Sequence, residues 1–288
     1  MNEKVVREAF REDGAALIEN CLNEAELGWC REAFDWAVAN PGPYATSMYD
    51  GTERRSHVDN ANPLAKERLD ALVQSLPFGE LFAKLWGSEH VWYFAEEIFL
   101  KSGGRSARSC WHQDTAYLPW AGEHWGNAWI SFQHVPKRNS LEIVRGSHRG
   151  VQYDGTTFNL DDPTEPLHGG GVLPRLPDID AELAAGRDTH HATSDESSGA
   201  AYDVLSWAVD PGDVVVLHPR SLHGGAGVDA EAPERHTLVL RFFGDDAAFR
   251  PLPTVNARYA RNGVLFTDEM AKLNPGDPFR SPVFRQLL

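Results

Sequence analysis

Cysteine is nearly missing from this chain: among 288 residues there are only Cys21, Cys30 and Cys110. An odd count at those spacings matches no disulfide framework and no zinc knuckle. Three reduced thiols, and with them a cytoplasmic setting, are the expectation. Long apolar runs are missing too, since no stretch approaches the roughly 20 residues a membrane span needs. The opening MNEKVVREAFREDG mixes acids and bases around no apolar centre, so no secretory signal is expected. Basic residues are in deficit, 27 against 42 acidic, for a formal net charge of −15. A chain so acidic repels phosphate backbones and anionic headgroups, which argues against nucleic-acid or membrane partners. The charge leaves a small molecule open, because a local cation can hold an anion inside an acidic protein. A monomer or homodimer working on a small molecule is the expectation.

What the chain does have is aromatic bulk. Nine Trp and fourteen Phe can bury a core without any staple. The length suits one domain, 1–288, with a helical support over 1–87, a β core over 88–250 and an extension over 251–288. Residues 3–12 are amphipathic. Asn23 with Glu26 three residues on has the form of a capping box, and Leu27, Cys30, Phe34, Ala37 and Val38 follow at helical spacing. A third helical stretch is expected over 63–86. After Gly87 the pattern turns to short runs rich in β-branched and aromatic residues: Val91–Lys101, Asn127–Val135, Leu141–Val144, Val204–Val209, Val214–Leu217 and Thr237–Phe243. Short strands without helices between them predict a mainly β fold of the sandwich or jelly-roll kind. Residues 150–202 are polar and turn-rich, and read as an insertion able to cover a site. The Pro-rich tail is expected to pack on the outside.

The chemistry concentrates in Cys110-Trp111-His112-Gln113-Asp114. On extended backbone, residues i and i+2 share a face, so His112 and Asp114 can reach one metal ion together. A third ligand is needed to hold it. In the two-His-one-carboxylate facial arrangement that ligand is a distant His, and the open positions suit a co-substrate and O₂. His223 is preferred, because the glycines after it let backbone approach closely. The nearby His218 is expected to be structural. An oxygenase using 2-oxoglutarate also needs a cation for the far carboxylate, and the guanidinium fork suits it. Arg235, opening the apolar Thr237–Phe243 run, is the first choice, with Arg241 further along the same run.

His112-Gln-Asp114, the run Leu141-Glu-Ile-Val-Arg-Gly-Ser-His148-Arg, Pro211-Gly-Asp213, His223 and Arg235 stand in an order that resembles the phytanoyl-CoA dioxygenase family, over roughly residues 5–250. The resemblance implies a double-stranded β-helix, a cupin-like jelly roll braced by N-terminal helices. It implies His112, Asp114 and His223 as Fe(II) ligands and Arg235 as the 2-oxoglutarate anchor. Lys101 and Trp129 fall where relatives line the co-substrate pocket. Ser147 and His148 look like the family's structural turn, not a catalytic pair. The chain departs from the pattern at Gly225, where many relatives have Ser, and at Asp229, where many have Asn.

With Asp114 present, hydroxylation is expected over halogenation, since halogenating relatives lack the carboxylate and admit halide there. Tyr117, Trp120 and Trp125 follow the motif closely and could wall an apolar substrate pocket. Arg105 and Arg108 could meet an anionic group, and His190-His191 could touch a substrate from the insertion. Two other readings stand beside the oxygenase: a cupin-like metal-dependent hydrolase or isomerase without 2-oxoglutarate, and a non-catalytic jelly-roll binding protein.

Overall fold

The computed structural model describes residues 3–49, 52–104, 108–159, 161–190, 202–225, 227–254 and 265–288, the side chains of 186–190 excepted. The N-terminal part runs α1 (Glu3–Asp13), β1 (Ala15–Ile18), α2 (Glu24–Ala39), β2 (Thr46–Met48), β3 (Arg55–Asn60), α3 (Lys66–Val73) and α4 (Phe78–Trp86). Then come β4 (Val91–Ser102), β5 (Ser109–His112), β6 (Trp120–Ala121), β7 (Trp125–Ser131) and β8 (Leu141–Val144). The insertion carries α5 (Ile179–His190). The rest is β9 (Val204–Leu205), β10 (Val214–Leu217), β11 (His223–Gly225), β12 (Arg235–Gly244), β13 (Ala248–Phe249), α6 (Thr267–Met270) and β14 (Arg285–Gln286).

Two antiparallel sheets face each other. The larger has eight strands in the order β1-β10-β7-β12-β4-β3-β2, with β14 also on β4. The smaller has the order β5-β11-β8-β9. Period-2 alternation decides what each face does. On β12, Leu238, Leu240 and Phe242 turn to the outer face, where they pack with Phe34 of α2, Leu69 of α3 and Phe78 and Phe82 of α4. Arg235, Val239 and Arg241 turn to the inner face and border the cavities between the sheets. On β7, Ala128 and Ile130 go outward, while Asn127 and Trp129 go inward. The mainly β, jelly-roll class is therefore as expected, although the sheets do not close into a barrel.

Local signals behave as read where they are strong. Asn23 caps α2: its side chain accepts from the Ala25 and Glu26 N–H groups, and Glu26 returns a bond to the Asn23 N–H. The 63–86 stretch is two helices broken before Phe78, because Pro77 lacks the N–H that a continuous helix would need. Val204–Val209 forms strand only over Val204–Leu205.

Two expectations need correcting. The first third is not purely helical: β2 and β3 extend the large sheet through Arg55–Asn60 pairing with β4. The tail is not an outside layer. Phe279 and Phe284 are buried against Phe94, Trp125 and Phe243, and α6 adds Met270 to the same cluster. Within the insertion, Leu176 and Ile179 cover Trp111 and Leu222 on the back of the small sheet.

Candidate metal centre and active site

β5 and β11 pair with His112 directly opposite His223. Their ring centroids lie 4.3 Å apart. Gly224 makes the pairing possible, since a Cβ there would sit 3.0 Å from the Cys110 and Ser109 carbonyl oxygens. β5 ends at His112, and Gln113 stays extended (φ −119°, ψ 127°) before Asp114 opens a short 3₁₀ turn. The extended Gln113 keeps His112 and Asp114 on one side. Gln113 itself points away, donating to the Val151 and Arg220 carbonyls and accepting from the Tyr153 N–H.

The three side chains converge. Asp114 Oδ1 lies 3.5 Å from His112 Nε2 and 3.7 Å from His223 Nε2. Each imidazole is oriented from behind. His112 Nδ1–H donates to the Cys110 carbonyl at 2.8 Å, and His223 Nδ1–H donates to the Ser221 carbonyl at 2.9 Å. Both Nε2 atoms are thus turned to the centre, as a metal requires. The far carboxylate oxygen, Asp114 Oδ2, accepts from Asn127 Nδ2 at 2.7 Å and has Arg241 Nε at 3.8 Å. Arg241 in turn is paired with Glu97 and donates to Asn60 of β3 at 3.0 Å.

Electrostatics follow from this packing. Burial opposes ionisation of Asp114, but the adjoining His112, His223 and Arg241 outweigh it and hold the carboxyl well below its usual range. Burial, reinforced by the neighbouring His112, pulls His223 down to about 4, so its imidazole is neutral. For His112, burial is overcome by Asp114, and its pKa lies above the ordinary value. One carboxylate and two imidazoles facing a common point are a donor set for Fe(II), Zn(II) or Mn(II). Among the described residues no other group of three His, Cys, Asp or Glu converges this way. His218 is not part of it. It is 2% exposed, packs against Phe10 and His148, and accepts from the Arg220 N–H at 3.1 Å; burial drives its pKa to about 3.

Two spaces open from the triad. A narrow slot between the sheets is lined by His112, Asp114 and His223 together with Arg235, Trp129 and Asn127. Arg235 is 4% exposed. Its guanidinium donates to the Asn139 carbonyl at 3.3 Å, and among the described residues its Nε has no partner. Among the described residues no carboxylate is paired with it, and burial alone lowers its pKa to about 10. A larger cavity of about 460 Å³ also borders His112 and Asp114. Its walls come from Tyr117 and Leu118 after the motif, from β4, and from Met48 and Val58 of β2 and β3. Phe158 of the insertion completes them.

The remaining sequence-derived residues divide. Lys101 lines the larger cavity and not the slot; burial first, then Arg235 opposite it on β12, bring its pKa down to about 7. Trp120 and Trp125 line neither of these two spaces. They are 1% exposed and stack on each other at 4.2 Å inside the core, because strands β6 and β7 turn them toward Phe94 and Phe279. Arg108 is paired with Glu142 and Asp180. Arg105, His191 and the His190 side chain lie outside the described residues. Ser147 Oγ donates to the Val144 carbonyl and accepts from the Leu222 N–H, while His148 bonds the Arg11 carbonyl. Ser147 thus braces the residue before His223, and His148 ties the turn to α1. Gly225 has φ +91°, and a Cβ would lie 3.1 Å from the Ser140 carbonyl, so the position suits glycine. Asp229 accepts from the Glu231 and Ala232 N–H groups and from Asn139, whose carbonyl receives Arg235.

Sequence reasoning missed Asn127, Glu97, Asn60, Met48, Val58 and Phe158. For Asn127 a signal existed: an amide inside the apolar NAWIS run, two residues from Trp129 and so on its face. For the residues of β2 and β3 there was none.

The sequence profile of the phytanoyl-CoA dioxygenase (PhyH) family matches residues 10–237. No curated protein sequence gives a significant match. Among solved structures, the non-heme alpha ketoglutarate dependent carbocyclase SnoK from nogalamycin biosynthesis superposes with a TM-score of 0.67 at 20% identity, covering 99% of this chain and 96% of that one. The epimerase SnoN in complex with Fe3+, alpha ketoglutarate and nogalamycin RO gives 0.67 at 19% identity, with coverages of 99% and 98%. EvdO2 from Micromonospora carbonacea var. aurantiaca, complexed with 2-oxoglutarate, gives 0.54 at 20% identity, with 88% and 94%. At such identities the likeness is one of fold.

Proposed function

Because the chain belongs to the phytanoyl-CoA dioxygenase (PhyH) family, we propose that it is an Fe(II)- and 2-oxoglutarate-dependent dioxygenase that hydroxylates a C–H bond of a small organic molecule, leaving succinate and CO₂. One observation carries this reading. A one-sided set of three donors shares a slot with a buried guanidinium that, among the described residues, has no carboxylate of its own. A hydrolase or isomerase on the same ligands needs no dicarboxylate anchor in that slot.

His112, Asp114 and His223 would hold the iron, and Arg235 the far carboxylate of the oxoacid. When bound, Fe(II) and 2-oxoglutarate supply the oxidant by coupling O₂ reduction to decarboxylation. Asn127 and Arg241 keep Asp114 Oδ2 occupied, which aims Oδ1 at the metal. The carbonyls behind His112 and His223 fix the tautomers. The larger cavity, bordering His112 and Asp114, takes the substrate, and its apolar walls keep water from the reacting carbon. Asp114 occupies the position that a halide would need, so hydroxylation is favoured over halogenation.

The test is an anaerobic mixture of protein, Fe(II), 2-oxoglutarate and a candidate small-molecule substrate, followed by O₂. A visible chelate band is expected, then stoichiometric succinate and, with ¹⁸O₂, label in the hydroxylated product. Bound iron with no band and no succinate would transfer the protein to the hydrolase or isomerase class. Succinate without oxygen in the product would retain the oxygenase and replace hydroxylation by another oxidation.

A further inference from the structure

The larger cavity holds a feature the proposed chemistry does not use. Phe158, from the insertion, stands at φ +60°, a backbone conformation that a bulky side chain adopts only at a cost. Its ring lies edge-on to His112 at 5.4 Å and stacks on Tyr117 at 5.5 Å with the planes 23° apart. The local hydrogen bonds hold it there. Tyr117 Oη donates to the Thr156 carbonyl and accepts from the Thr156 N–H, and Thr156 Oγ1 accepts from the Phe158 N–H. The strained segment thus presents a two-ring stack beside a metal ligand. Phe158 is only partly buried and lines the cavity, with Met48 and Val58 among the other wall residues.

The cavity's charges are already used. Arg108 is paired with Asp180 and Glu142, and Arg241 with Glu97. Lys101, also on the lining, is 6% exposed and sits opposite Arg235. The phosphates of a nucleotide-bearing thioester would find no available guanidinium among the described lining residues. A volume of about 460 Å³ suits a compact drug-sized molecule.

Resting on the oxygenase reading for the reaction itself, we propose that the substrate is a neutral, planar, ring-bearing molecule that extends the Tyr117–Phe158 stack, with Phe158 as its specificity-determining residue. Stacking on a fixed ring sets the substrate plane relative to His112, and so decides which C–H bond faces the metal.

The experiment is calorimetric titration of the anaerobic Fe(II)- and 2-oxoglutarate-loaded protein, and of the metal-free protein, with flavone and with decanoyl-CoA. Flavone is planar and neutral; decanoyl-CoA is a flexible, anionic thioester. Flavone is expected to bind at least roughly tenfold more tightly. Phe158→Leu, which keeps apolar bulk but no ring, should weaken flavone roughly 2- to 12-fold, the range of an aromatic pair. Phe158→Tyr should retain it. Decanoyl-CoA binding more tightly than flavone would overturn the proposal. So would equal flavone affinities for the wild type and a folded Phe158→Leu. If Phe158→Leu fails to fold, the two-probe comparison on the wild type still decides. Flavone binding is read without metal as well, so a missing chelate band counts against the oxygenase reading alone.

Discussion

Arg235→Met should move two quantities in opposite directions. Burial takes the guanidinium more than two decades down from its ordinary value, to about 10. At 1.36 kcal/mol per tenfold, keeping it charged inside the fold costs about 3 kcal/mol at any working pH below that value. No carboxylate among the described residues offsets this. An uncharged side chain of similar size should therefore leave the oxoacid-free protein more stable, by roughly 1–3 kcal/mol, which is a rise in Tm of roughly 2–10 °C for a chain of this size. The same change removes a charge-assisted fork to the far carboxylate of 2-oxoglutarate, about 3 kcal/mol, or roughly 150-fold in affinity. Arg235→Lys keeps the charge but loses the fork, and should fall between, at roughly tenfold. Anaerobic titration of the Fe(II) chelate band gives the affinity, and thermal denaturation without oxoacid gives the stability. A Met variant that is less stable yet binds 2-oxoglutarate normally would show Arg235 to be a structural arginine, and the anchor assignment would go.

Asn127→Ala leaves Asp114 Oδ2 without its 2.7 Å donor; metal affinity should drop roughly 10- to 100-fold, read by competition with a chelator, and an unchanged value would remove Asn127 from the site. Glu96 is 3% exposed, and burial, opposed in part by the Asn62 N–H, raises its carboxyl to about 7. An acid raised on folding stabilises below its unfolded pKa, near 4.5, and loses that contribution as pH rises through 7. Glu96→Gln should accordingly stabilise the protein by about 3 kcal/mol at pH 8 and hardly at all at pH 4; urea unfolding with the same shift at both pH values contradicts this. Gly225→Ser forces a side chain to φ +91° beside the Ser140 carbonyl. A loss of about 1–2 kcal/mol is expected, and a higher Tm would mean that the strand relaxes.

The part of the site legible in sequence is the part set by local geometry. His112 and Asp114 share a side because the intervening residue is extended, and Arg235 and Arg241 share the inner face of β12 because strand residues alternate. His223 followed from two glycines that admit a neighbouring backbone. What was not legible depends on contacts between distant segments. Arg55–Asn60 is polar and shows no apolar alternation, yet it becomes a strand because β4 offers it an edge. Trp120 and Trp125 read equally well as pocket or core, and only the tail's Phe279, packed on Trp125, decides for core. Leu265, Met270, Phe279 and Phe284 have no period of their own, and their burial arises from the cluster they complete. Phe158 carried no signal, since its position depends on the Thr156–Tyr117 hydrogen bonds.

Anaerobic Fe(II) titration of four single variants against the wild type bears most directly on the convergence of three side chains on one ion. One iron per chain is expected for the wild type and for His218→Gln, with tight binding lost in His112→Ala, Asp114→Ala and His223→Ala while the far-ultraviolet circular dichroism stays unchanged. Undiminished binding in a folded His223→Ala, or its loss in a folded His218→Gln, would contradict the assignment on which the site is built.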